Sequence, residues 1–191
     1  STPLYSSAAS DVYKRQEDLH MAIDYSITKS YDMYFRDFYS IDRNASKSEQ
    51  RASYKTNKLA KADSSAMTKI SKTLRKMDFS QDNGNDIFYT VKSFVNAYNN
   101  LMESSGSSNE YDISHPEKFI KSLTKDQEDA LSDIGITISA SGKLKLDEDK
   151  LMETKPAKIG KLFSEDSEFT KKINFYANKI YRASNRIDVT L

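Results

Sequence analysis

The 191-residue sequence has no cysteine and no tryptophan, and only two histidines. Without cysteine there is no disulfide framework, no thiol nucleophile and no thiolate metal site. His20 and His115 lie far apart, and neither has a second imidazole at metal-ligand or triad spacing. Three prolines and five glycines put few fixed breaks into the chain. With a mean hydropathy of −0.73, that scarcity describes a polar, mostly helical protein rather than a sheet protein. No apolar run approaches the length of a membrane span. The formal net charge is +1, with both signs interspersed, so nothing electrostatic points to nucleic acid or an anionic membrane.

The chemistry-bearing residues form no site. Gly106 and Gly142 stand alone rather than in a phosphate-cradling loop, and Ser141-Gly142 reads as a turn rather than a nucleophile. Asp147-Glu148-Asp149 lacks the alternating ligands and the glycine of a calcium loop and reads as a helix start. The expectation is a non-enzymatic protein with no catalytic residues, no cofactor and no metal.

Residues 1–20 are set aside as a non-native leader. SSAASDVYKRQ, residues 6–16, matches the translation of a sequencing adapter, and residues 17–20 read as translated untranslated region before Met21. No signal-peptide pattern follows Met21. Residues 21–44 form an aromatic N-terminal segment of ambiguous period. Met21, Ile23, Tyr25 and Ile27 alternate like a strand, whereas Tyr31, Tyr34, Phe35, Phe38 and Ile41 step like a helix. Residues 45–191 then read as one helical domain carrying a β-hairpin.

Three long amphipathic helices are predicted there. Leu59, Ala62, Ala66, Ile70, Leu74 and Met77 mark the first, starting somewhere after Asn44. Ile87, Val91, Phe94, Tyr98 and Leu101 mark the second, bounded by a turn at Ser80 to Gly84 and a flexible loop at Ser104 to Ser108. Phe169, Ile173, Tyr176, Ile180, Ala183 and Ile187 mark the third, behind a Ser164-Glu165-Asp166 cap. Capping boxes at Ser114 to Glu117 and Thr124 to Gln127 predict two shorter helices. The fold class is mainly α, a helical bundle or coiled-coil-like stalk with one small β-hairpin at about residues 136–146.

The hairpin belongs to an ordered string, LSDIGITISASGKLKLDEDKLMETKPAKIGKLF, from Leu131 to Phe163. A helix ends at Gly135; Ile136, Ile138, Leu144 and Leu146 alternate about a turn containing Gly142; Asp147 caps a short helix; Pro156 opens another. This string resembles the C-terminal core of the bacterial flagellar filament-capping protein, hook-associated protein 2. Val91 to Leu101, VKSFVNAYNNL, is similar to a helical segment upstream of the hairpin in that family. The closing heptad helix corresponds in position to the long C-terminal stalk helix. No counterpart of the family's large β-rich outer domains is legible.

The resemblance implies an extracellular flagellar structural protein, exported without a cleaved signal peptide, that self-associates and meets flagellin or hook-junction proteins. Flagellin assembly is the implied role, with adhesion a family activity tied to the outer domains. On this reading the apolar seams supply partner contacts, through Ile87, Val91, Phe94 and Tyr98 on one helix and Tyr176, Ile180 and Ile187 on another. Gly135 and Gly142 serve as structural turns. The reading from a different class is a cytoplasmic helical chaperone or adaptor holding an exported substrate.

Overall fold

A computed structural model describes residues 30–189, with side chains through residue 187. The expectations for residues 1–29, the leader and the alternating Met21 to Ile27 stretch, lie outside the described residues. The chain divides into two units, Ser1–Tyr34 and Phe35–Leu191, and of the first only residues 30–34 are described; they are helical. Residues 30–38 (α1) thus follow the helical period of Tyr31, Tyr34, Phe35 and Phe38.

In the second unit come a 3-10 turn at Arg43–Ser46, then α2 (Ser48–Arg51), α3 (Thr56–Lys76) and a second 3-10 turn at Gln81–Asn83. These lead to α4 (Gly84–Gly106), α5 (Tyr111–Lys125), α6 (Glu128–Ser132), β1 (Ile136–Ile138) and β2 (Leu144–Leu146). The chain closes with α7 (Glu148–Glu153), α8 (Pro156–Phe163) and α9 (Glu168–Val189). The fold is mainly α with one antiparallel hairpin among the described residues.

Four helices, not three, enclose the core, because α3 packs on both α4 and α9 and α5 closes the ring against α4 and α9. Neighbours run antiparallel. The short connections demand it, and Asp63, early in α3, reaches Ser104, late in α4, while Asp112, early in α5, reaches Arg186, late in α9. Helix α3 buries Ala60, Asp63, Met67, Ile70 and Leu74, a 3-4-3-4 stripe widened by Ala62 and Ala66 so that two helices can approach it closely. Leu59 and Met77, expected on the seam, are only half-buried. At the centre, Phe94 meets Phe163 edge-on at 5.0 Å and lies 6.1 Å from Phe169 and 6.4 Å from Tyr98.

The hairpin pairs Ile136 with Leu146, Thr137 with Lys145 and Ile138 with Leu144. A two-stranded ribbon is marginal alone. Asn99 of α4 clamps this one to the bundle, its Nδ2 donating to the Leu144 carbonyl (2.8 Å) while its Oδ1 accepts from the Leu144 amide (2.7 Å). The two blocks of the sequence resemblance therefore touch. Gly142 holds φ +77° in the turn, and Gly135 holds φ +89° where α6 passes into β1. A Cβ on Gly135 would also lie 2.8 Å from the Asp147 carbonyl, whereas one on Gly142 would meet only the Lys121 side chain at 3.5 Å.

Several predicted caps and loops are corrected. Helix α4 runs through Ser104 and Ser105 to Gly106, because both hydroxyls find buried partners and cease to favour a loop. Helix α5 starts at Tyr111 and carries Pro116 inside it, so Ser114 to Glu117 is no capping box. Thr124 is likewise helical, its hydroxyl donating to the Ile120 carbonyl at 2.8 Å. The cap of α9 is Ser167, whose Oγ accepts from the Thr170 amide at 3.3 Å, rather than Ser164 to Asp166. Asp147 caps α7 as expected, accepting from the Lys150 amide at 3.0 Å.

Candidate interaction surface

The residues assigned to partner contact divide by burial. Ile87, Val91, Phe94, Tyr98 and Ile180 are at most 2% exposed and are consumed by the protein's own core. Side chains packed inside the bundle offer a partner no surface in this fold. Tyr176 and Ile187 are half-buried. The inner stripe of α9 runs Phe169, Ile173, Ala177, Ile180 and Ala183, because a 3.6-residue helix drifts off a strict heptad and Ala177 replaces Tyr176 on the inner face.

Tyr176 instead joins an aromatic ladder laid across α5 and α9. Tyr111, His115 and Phe119 recur every four residues and so share one face of α5. Tyr111 stacks on His115 at 4.7 Å, His115 meets Phe119 edge-on at 5.0 Å, and Phe119 stacks on Tyr176 at 5.0 Å and 1°. Phe175 completes the ladder 5.2 Å from Tyr176. Tyr111 (68%), Phe119 (42%) and Phe175 (53%) are exposed, although contiguous apolar surface is normally hidden.

Basic side chains edge this ladder. Between residues 169 and 187 α9 carries Lys171, Lys172, Lys179, Arg182 and Arg186 and no acidic residue. Lys179 lies over the Phe175 ring at 5.0 Å and the Tyr176 ring at 5.9 Å. A cleft of about 570 Å3 opens beside the ladder, walled by Tyr111, His115 and Pro116 on one side and Lys179, Arg182 and Arg186 on the other. Asp112, at its mouth, pairs with Arg186 at 3.2 Å. Such a surface can hold apolar and anionic groups together. It has no nucleophile with a base beside it.

A buried polar hub lies elsewhere, between α2, α3 and α4. Asp63 is fully buried; Oδ1 accepts from the Arg51 guanidinium (2.9 Å) and the Tyr39 hydroxyl (3.0 Å), and Oδ2 from Arg51 (2.9 Å) and Ser104 (2.6 Å). Arg51 also donates to the carbonyls of Ala45 (2.8 Å) and Asn100 (3.3 Å), and Asn100 donates to the Tyr39 oxygen (2.8 Å). Burial raises the Tyr39 hydroxyl well above its ordinary pKa, with the Asp63 carboxylate adding to the effect. Burial also raises the Asp63 carboxyl, against the pull of Arg51, Ser104 and Tyr39. Every carboxylate oxygen is occupied, so the hub holds the segment from Tyr39 to Arg51 on the bundle and has no reach to a substrate. Arg51 and Asp63 carried no sequence signal, being one charge among many in a lysine- and serine-rich stretch. Among the described residues no cluster of three or more potential metal ligands occurs.

The described residues thus form a helical bundle with a clamped hairpin and an aromatic, basic-edged outer face. Residues 117–190 match the family model of the flagellar hook-associated protein 2 C-terminus, and that stretch is a FliD-like C-terminal region. The match takes in the hairpin, α7, α8 and the described part of α9, and stops short of the Val91 to Leu101 block. No curated protein and no solved structure is matched.

Proposed function

We propose that the chain is a non-enzymatic structural and assembly protein of the bacterial flagellum, working as the stalk core of a filament cap does. The observation that carries this reading is the match over residues 117–190, which runs from within α5 through α6, the hairpin, α7 and α8 into α9. Self-association and contact with flagellin or hook-junction proteins follow from the same reading, as does an extracellular location reached without a cleaved signal peptide. The contact surface is the ladder of α5 and α9 rather than the buried seams. Adhesion would need outer domains and is not assigned to the described residues.

The test is assembly in vitro. Short flagellin filaments incubated with the purified chain should carry it at one end, seen by gold labelling, and flagellin monomers should add beneath it. Labelling along filament sides, or none, counts against the proposal. A soluble one-to-one complex with an unassembled flagellar subunit favours a chaperone or adaptor instead.

A further inference from the structure

Patches of opposite charge lie near the two ends of α5, although the helix itself carries both signs and Lys158 pairs with Asp133 at the acidic end (3.0 Å). At the N-terminal end of α5 lies the cleft edged by Lys179, Arg182 and Arg186. Beyond its C-terminal end lie two acidic stretches, residues 126–133 and 147–153, holding eight carboxylates and one lysine. They pack together, since the Lys150 ammonium of α7 donates to the Ser132 carbonyl at the end of α6 (2.7 Å) and the Asp147 amide to the Gly135 carbonyl (2.8 Å). The ion pair between Lys92 and Glu148 (2.8 Å) fixes this acidic end against the first half of α4, away from the cleft. About 20 Å, the length of α5, separates the two regions, so they cannot pair within one molecule.

The two regions also match in shape and polarity. Met152 is 61% exposed on α7; Asp149, three residues earlier, lies on its face, and the exposed Glu153 follows it. The apolar knob is flexible and polarisable, suited to aromatic rings, and its rim is acidic. Across the molecule, Phe175, Lys179, Arg182 and Arg186 follow one another along one face of α9, an aromatic platform with a basic rim. We propose that these surfaces are the two halves of one heterologous contact: the Met152 face of α7 in one copy seats on the α5–α9 aromatic cleft of a second copy. The occupant of the cleft is therefore a second copy of this chain. A head-to-tail contact of this kind generates a ring where its rotation closes and an open rod where it does not. The inference takes its occupant from the self-assembly reading above and adds the two surfaces that meet.

Charge reversal tests it. Lys179→Glu with Arg182→Glu makes the cleft edge acidic, and Asp149→Lys with Glu153→Lys makes the knob basic. All four residues are exposed, so both variants should melt with the wild type by circular dichroism. Sedimentation velocity should show wild type assembling, less so as salt rises, and each variant alone monomeric at the concentration where wild type is half assembled, a loss of roughly tenfold or more. An equimolar mixture of the two variants should assemble again, because each reversed face then meets a complementary one. Wild-type assembly that survives both reversals, or variants that fail to rescue each other, overturns this contact while leaving self-assembly standing. A wild type that stays monomeric in the millimolar range overturns both.

Discussion

Replacing Asp63 by alanine removes the one anion in the buried hub and leaves Arg51, 8% exposed, with its charge uncompensated. The Tyr39 and Ser104 hydroxyls lose their acceptor at the same stroke. Breaking a buried pair by deleting one partner costs about 3–5 kcal/mol, because the charge left behind has given up its water. At roughly 2–4 °C per kcal/mol for a chain of this size, the melting temperature should fall by about 10 °C. Arg51→Met should cost a comparable amount, whereas Arg51→Met with Asp63→Leu should recover much of the loss, since an apolar pair needs no compensating charge. Urea unfolding of the four proteins checks the cycle, and hydrogen exchange locates it. Amides between residues 39 and 51 should lose protection first in Asp63→Ala, because the Arg51 bond to the Ala45 carbonyl is released with the hub. A loss under about 1 kcal/mol, or additive single effects, would mean that the hub does not hold this segment.

Gly135→Ala should destabilise clearly more than Gly142→Ala in urea unfolding; both face positive φ, at about 1 kcal/mol, but only Gly135 would drive a Cβ against backbone, at 2.8 Å. Stability should fall between pH 10 and 12. Burial pushes the Tyr98 hydroxyl up to about 12, against its hydrogen bond with Thr124, so the unfolded chain ionises first and the folded state loses roughly 3 kcal/mol across that window. Tyr39 acts in the same direction, and Tyr98→Phe should flatten the alkaline slope measured by denaturant midpoints. Ile180→Asp should abolish the cooperative melt, because Ile180 is fully buried, whereas Phe175→Asp on the outer face should shift the midpoint by no more than a degree or two.

The hairpin and its flanks were legible because each signal was local. Glycine at positive φ, alternation over three residues on each strand, Asp147 before α7 and Pro156 at the head of α8 act within a few residues of themselves. The long helices were legible from their periods, but which face turns inward was not fully so. The choice between Tyr176 and Ala177 depends on drift over five turns and on the neighbour α5, which the sequence divided between two capping boxes. Serines misled most. Ser104 and Ser105 read as loop because such hydroxyls compete with the helix, and only the distant partners, Asp63 for one and the helix's own carbonyl for the other, make them helical. The hub joins residues up to 61 positions apart, a separation at which single-residue patterns carry no information. The aromatic ladder was half visible, in the four-residue steps of Tyr111, His115 and Phe119, yet its continuation through Tyr176 exists only once α5 and α9 are packed.

Location tests the central claim most directly. The chain, expressed in a flagellated bacterium that lacks its own filament cap, should be recovered from the culture medium and at filament ends by gold labelling, and this should cease when the flagellar export gate is inactivated. Retention inside the cell with the gate intact, bound to an unassembled flagellar subunit, would contradict the assembly reading and support the chaperone one.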